Sequence, residues 1–143
     1  MKDPPTEEIL TPPFSIIFPL ILKVASGELN QLRIFGNDWD TPDGTGIRDY
    51  IHVTDLAEGH LSALKNLFEN DKNRILKLNL GSGKGHSVLE VIKTFGKVTG
   101  IDIPYEITKR RSGDTAKTVA DPSLSKITLG WETKKSLFEM CRD

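Results

Sequence analysis

The stretch TPDGTGIRDYIHVTDLAEGH, residues 41–60, constrains the fold more than any other part of the chain. Its Asp-Gly-Thr-Gly segment is a turn, in which Gly44 and Gly46 permit backbone conformations that other residues resist. IRDYIHV is then a short extended run, and Thr54 or Asp55 supplies a cap for the helix that follows. The apolar positions Leu56, Ala57, Leu61, Leu64, Leu67 and Phe68 recur at helical spacing, so that helix is amphipathic. Turn, short strand and long helix in immediate succession require a mixed α/β layout.

The remaining elements agree with it. Residues 1–13 are Pro-rich and expected to be loosely ordered, leaving 14–143 as one domain. FSIIFPLILKVA leads into a helix over about residues 19–26, started by Pro19 and stopped by Gly27. QLRIFG, RILKLNL and IPYEIT read as strands from their alternating or β-branched residues. Ser87 and Glu90 stand in capping-box relation ahead of a helix that ends at Gly100. DPSLSKITLG is a short helix with Pro122 in its first turn and Gly130 at its end, and TKKSLFEMCRD begins another. The expectation is an α/β domain of short strands with about four helices.

Composition narrows the function classes. A chain of 143 residues is one domain's worth, and a net charge of −1 gives nucleic acid or an anionic membrane no reason to bind. The run Lys109-Arg110-Arg111 is partly offset by Asp114. Cys141 is the only cysteine, which excludes a disulfide framework and suits the cytoplasm. With three dispersed histidines it also leaves no metal-ligand spacing. The apolar stretch before Ala25 is shorter than the roughly 20 residues of a membrane span and is broken by Pro19.

Two patterns imitate cofactor sites. Gly81, Gly83 and Gly85 follow a strand pattern and precede a helix, but His86 stands where a dinucleotide loop needs its third glycine, so the reading is a tight turn. Tyr105 and Lys109 have the Y-x-x-x-K spacing of a dehydrogenase pair, which works only on a helix face. PYEITK reads as extended, which holds their side chains about 13 Å apart.

The joint run of Phe35-Gly36-Asn37-Asp38, Asp43-Gly44-Thr45-Gly46, Arg48-Asp49-Tyr50 and Arg111-x-Gly113-Asp114 strongly resembles the substrate side of the UDP-glucose (UDP-galactose) 4-epimerases. These are extended short-chain dehydrogenase/reductase proteins, and the resemblance runs in order over about residues 24–140. It implies that the chain is their small C-terminal UDP-sugar-binding domain. It further implies that Arg48 and Arg111 hold the two phosphates, for which forked guanidinium donors suit. Asp114 then accepts from the ribose hydroxyls. Uracil packs at a strand end made by Arg33, Ile34 and Phe35, although Phe35 also reads as a core residue. Tyr50 lines the pyrophosphate–sugar side and Val88 contacts the nucleotide. His52, inside an apolar run, reads as a structural histidine bonded to backbone; Asp55 and His60 read as a helix cap and a packed imidazole.

The resemblance also defines what this sequence lacks. The family's NAD is held by an N-terminal Rossmann domain with G-x-x-G-x-x-G, and its catalytic Tyr and Lys lie on a helix; neither motif occurs here. The expectation is a fragment with no catalytic residue and no cofactor or metal of its own, competent only with a Rossmann NAD-binding domain in cis or in trans. The family's Pro-Asn-Asn-Leu motif falls near Ser15-Ile16-Ile17-Phe18, where branched aliphatics replace both amides. Either the register differs there or sugar recognition is altered. Two rivals remain: the substrate domain of another nucleotide-sugar decarboxylase or dehydratase, and a non-catalytic UDP-sugar-binding module. Without its partner domain the chain should expose an apolar face, including part of residues 14–24, and self-associate.

Overall fold

The computed structural model describes residues 16–70 and 75–143. The Pro-rich segment 1–13 and Ser15 lie outside the described residues, as do the residues just before Ile75. Five helices and five short strands follow one another as α1 (Ile17–Ala25), β1 (Leu32–Phe35), β2 (Ile47–Asp49), α2 (Val53–Glu69), β3 (Gly85–Ser87), α3 (Val88–Thr99), β4 (Tyr105–Thr108), β5 (Lys117–Thr118), α4 (Ser123–Leu129) and α5 (Leu137–Arg142). β1 pairs with β4 in parallel, with Arg33 opposite Glu106. β2 lies between β3, to which it is antiparallel, and β5, to which it is parallel.

One core joins α1, β1, α3 and α5. Ile21, Val24, Leu32, Ile34, Val91, Ile92 and Phe95 share it with Ile103, Leu137 and Cys141. Burial pushes the Cys141 thiol up to about 11, so it is an unreactive core group. Helix α1 begins at Ile17, two residues before the expected start. Pro19 is its third residue, where the backbone N–H would have no helical partner and its loss costs nothing. α3 keeps the expected capping box of Ser87 and Glu90 and ends at Gly100 in the left-handed conformation.

Four expectations need correction. Residues 75–80 make no ladder among the described residues, although their alternation reads as a strand; a strand pattern without a neighbouring edge has nothing to pair with. The N-cap of α2 is His52, whose Nδ1 accepts from the Thr54 N–H at 3.1 Å, and neither Thr54 nor Asp55. His52 is thereby bonded to backbone as expected. Asp55 is instead buried, and its Oδ2 accepts from the backbone N–H groups of Lys134 and Lys135 at 3.1 and 2.9 Å. His60 is an exposed side chain on the carbonyl of Leu56, at 2.8 Å, and is not packed.

α2 is also turned differently from its pattern. It seats Asp55 and Gly59 inward, where a Cβ on Gly59 would lie 3.0 Å from both Leu80 and Trp131. Val53, Leu61, Leu64 and Phe68 face outward, 73%, 67%, 52% and 74% exposed.

Two carboxylates organise the loops around β2. Asp49 receives the N–H groups of Ser82 and Gly83, each at 3.0 Å, that of Ala120 at 3.3 Å, and the Ser82 hydroxyl. Gly81 must be glycine for this approach, because a Cβ there would sit 2.6 Å from the Ala120 Cβ and 2.8 Å from Asp49 Oδ2. Asp43 accepts from the Thr45 N–H at 2.9 Å, from the Thr45 hydroxyl at 2.7 Å and from the Ser87 hydroxyl. Gly44, at φ +77°, brings its Cα so near Asn37 that a Cβ would lie 2.0 Å from the Asn37 carbonyl oxygen.

Replacing Asp49 by Ala leaves three backbone N–H groups without their acceptor, and we expect a stability loss of about 2–4 kcal/mol in urea unfolding. Burial raises the Asp43 carboxyl, but the hydrogen bonds from Ser87 and Thr45 outweigh it and hold that group below the usual carboxylate range. A carboxylate so lowered binds fewer protons folded than unfolded, so its contribution is complete above about pH 4 and is lost as pH falls through the folded value. Unfolding free energy followed from pH 6 down to 2, roughly the span of carboxylate titration, should therefore show a shallower acid limb in Asp43→Asn than in the parent chain.

Candidate functional site

The alternation of β1 sorts its side chains. Leu32 and Ile34 point into the core, and Arg33 points outward to Glu106, 3.0 Å away across the strand pair. Phe35 ends the strand half-buried. The loop after it folds back, because the Trp39 indole N–H donates to the Phe35 carbonyl at 3.1 Å and the Trp39 backbone N–H donates to Gly44 at 3.0 Å.

β2 applies the same rule of alternation. Asp49 turns to the glycine loop, while Arg48 and Tyr50 both line a cleft on the other side. Arg48 Nη1 is anchored by the carbonyls of Ile47 and Thr115, at 2.8 and 2.9 Å. Tyr50 meets Phe18 edge-on at 5.9 Å between centroids. Burial, opposed by the nearby Arg48 charge, pushes the Tyr50 phenol up to about 12, so it stays protonated at neutral pH and can donate a hydrogen bond. Val88 opens α3 beside them, its N–H held by the Gly46 carbonyl at 3.1 Å.

The far wall is a turn around Gly113. Arg111 forks onto Asp114, Nε to Oδ2 at 2.9 Å and Nη2 to Oδ1 at 3.2 Å, and its guanidinium lies 4.3 Å from the centre of the Phe35 ring. Arg48 Nη2 approaches the same carboxylate at 3.9 Å. Arg110, one residue earlier, stacks on Trp39 at 4.0 Å and pairs with Asp38 at 2.7 Å.

All eight residues singled out from the sequence border one cleft of about 260 Å³: Arg33, Ile34, Phe35, Arg48, Tyr50, Val88, Arg111 and Asp114. They come from four separate stretches of chain. Ile34 lines it with a side chain that is only 2% exposed, so that residue shapes the floor and offers little surface. Trp39 escaped sequence reasoning: it lies in a polar loop where nothing in the local pattern marks it as more than a surface aromatic. Ile16, Ile17 and Leu20 supply an apolar wall at the start of α1. Both aliphatics at the positions where the resembled family has amides thus face the cleft. Three guanidinium groups, a carboxylate, a protonated phenol and two further aromatic rings suit a ligand that is anionic, bears hydroxyls and has one flat face.

Residues 11–81 match the NAD dependent epimerase/dehydratase family. The UDP-glucose 4-epimerase of Bacillus subtilis is 51% identical over 127 residues, a match covering 89% of this chain and 37% of that protein. The human UDP-glucose 4-epimerase is 48% identical over 127 residues, again 89% of this chain and 36% of the relative. Among solved structures, the enzyme from Stenotrophomonas maltophila with bound NAD and formylated UDP-arabinopyranose superimposes with a TM-score of 0.85 at 49% identity, over 90% of this chain and 38% of that one. The Bifidobacterium longum enzyme in complex with NAD+ and UDP gives 0.83 at 46% identity, over 89% and 37%. This chain therefore spans little more than a third of the length of the proteins it matches. Identical at half of the aligned residues and following the same backbone path, it is a homologue of one segment of the UDP-glucose 4-epimerases.

Proposed function

We propose that this chain is the UDP-sugar-binding portion of an enzyme that interconverts UDP-glucose and UDP-galactose. The observation that carries the reading is the convergence of Arg48, Arg111, Asp114 and Phe35 on one cleft from sites far apart in sequence. Arg48 and Arg111 take the two phosphates. Asp114 accepts from the ribose hydroxyls, and the uracil lies at the end of β1 against Phe35, with Arg33 and Ile34 beside it. Tyr50 donates toward the pyrophosphate or the sugar, and Val88 packs on the nucleotide. Ile16 and Ile17 can make only apolar contact with the hexose, which alters its recognition relative to a site with two amides.

The oxidation and return of hydride that epimerisation requires belong to NAD and to the portion of the enzyme that holds it. No group in this cleft is assigned a catalytic step. In solved relatives that carry NAD, this chain corresponds to under two fifths of the polypeptide. A Rossmann NAD-binding portion, in cis or in trans, is the partner this reading needs. The outward stripe of α2 and the unladdered residues 75–80, with Ile75 85% exposed, form the surface best suited to it. A strand pattern without a ladder partner among the described residues can add to a sheet edge while the helix stripe covers that sheet's face. α1 contributes less, exposing only Ile16 and Leu22 among its large apolar residues.

Titration calorimetry of the folded chain with UDP tests the site. Binding should weaken by at least about tenfold in Arg48→Ala and be only partly restored in Arg48→Lys, which keeps the charge and loses the fork. A folded chain that takes up no UDP would overturn the reading. The docking surface has a separate check. Leu64→Asp with Phe68→Asp should reduce self-association in sedimentation and the uptake of a hydrophobic dye, with the unfolding midpoint nearly unchanged because both side chains are already exposed.

A further inference from the structure

The two groups a nucleoside would need in this cleft are both covered by one side chain. The Arg111 guanidinium lies over the Phe35 ring at 4.3 Å, and it forks onto both oxygens of Asp114. The turn that brings Arg111 and Asp114 together is closed by the Asp114 N–H on the Arg111 carbonyl at 3.3 Å, so the pair is preformed. Arg48 adds a second positive charge to the same carboxylate but is tied down by two backbone carbonyls, and Arg111 has no such tether among its bonds. Arg111 is the movable member of the site.

We propose that Arg111 makes the cleft selective for nucleoside diphosphates over bare nucleosides, by occupying the base and ribose positions until a phosphate draws it away. The inference rests on the reading of the cleft as a nucleotide-sugar site. To seat a flat base on Phe35 and hydroxyls on Asp114, Arg111 must give up a stacking contact and a bidentate ion pair. A ligand with phosphates returns a bidentate anionic partner to the displaced guanidinium. A nucleoside returns nothing, and it also meets a carboxylate whose oxygens are already engaged. Discrimination thus comes from a contact that the wrong ligand breaks without replacement, in addition to one that the right ligand makes. The Arg110 stack on Trp39 provides no such device, because its guanidinium is held by Asp38 and lies outside the cleft.

The test is an inversion of sign between two ligands. Binding of UDP and of uridine is measured by calorimetry, with uridine also followed by competition against UDP, on the parent chain and on Arg111→Ala and Arg111→Gln. Removing the side chain should weaken UDP by about tenfold or more, through loss of a charge-assisted phosphate contact. The same change should tighten uridine by about threefold or more, the strength of a half-exposed stack and ion pair. Simple loss of positive charge predicts weaker UDP and unaltered uridine. Circular dichroism and unfolding midpoints confirm that the variants are folded, which the partly exposed position of Arg111 favours. If the parent binds UDP and neither variant gains uridine affinity, the proposal is overturned and the reading of the site stands. If the folded parent binds no UDP, both fall together.

Discussion

Much of this structure depends on where the Asp49 carboxylate goes. Three backbone N–H groups and a hydroxyl converge on it from residues 82–83 and 120, so one side chain ties β2 to the glycine loop and to the chain beyond β5. The glycine loop looks from sequence like a phosphate cradle, and its backbone donors do hold an anion. The anion belongs to the protein. Converging N–H groups favour any carboxylate or phosphate oxygen, and an internal group that is always present leaves those donors engaged.

Because side chains on a strand alternate, committing Asp49 to the loop commits Arg48 and Tyr50 to the opposite side, where the cleft is. The same logic repeats along the chain. Asp43 ties the preceding turn to Ser87 at the start of α3, and Asp55 ties α2 to the backbone of residues 134 and 135. Each of these aspartates joins its own segment to one distant in sequence. A stretch of short strands and turns, which could not hold a register by apolar burial alone, is thereby fixed at three points.

The sequence was legible where local chemistry is self-contained. The Ser87–Glu90 capping box and the Gly100 and Gly130 helix ends each depend on residues close at hand, and all are found. Legibility failed where a partner far along the chain decides. His52 caps α2 because Asp55, a better cap by type, is claimed by Lys134 and Lys135. Residues 75–80 carry a strand's alternation without a strand's partner. β3 and β5 are too short to show a period at all; they exist because β2 lies between them. The residues lining the cleft were singled out by family resemblance and not by pattern: Arg111 and Asp114 are unremarkable members of a charged run until the turn at Gly113 pairs them and sets Arg111 against Phe35.

The two surfaces of the molecule rest on different supports. The cleft is walled by α1, β1, the start of α3 and the turn at Gly113, and the first three of these contribute directly to the buried core. Its shape is therefore coupled to core packing within this chain. α2 stands apart from that core, seated through Gly59 and Asp55 on Trp131, Leu80 and the backbone of residues 134–135, with its apolar stripe turned outward. A segment built to bind ligand with one side and a larger body with the other would divide its residues in this way. The division separates the requirements: core residues preserve the pocket, and exposed ones remain available for docking.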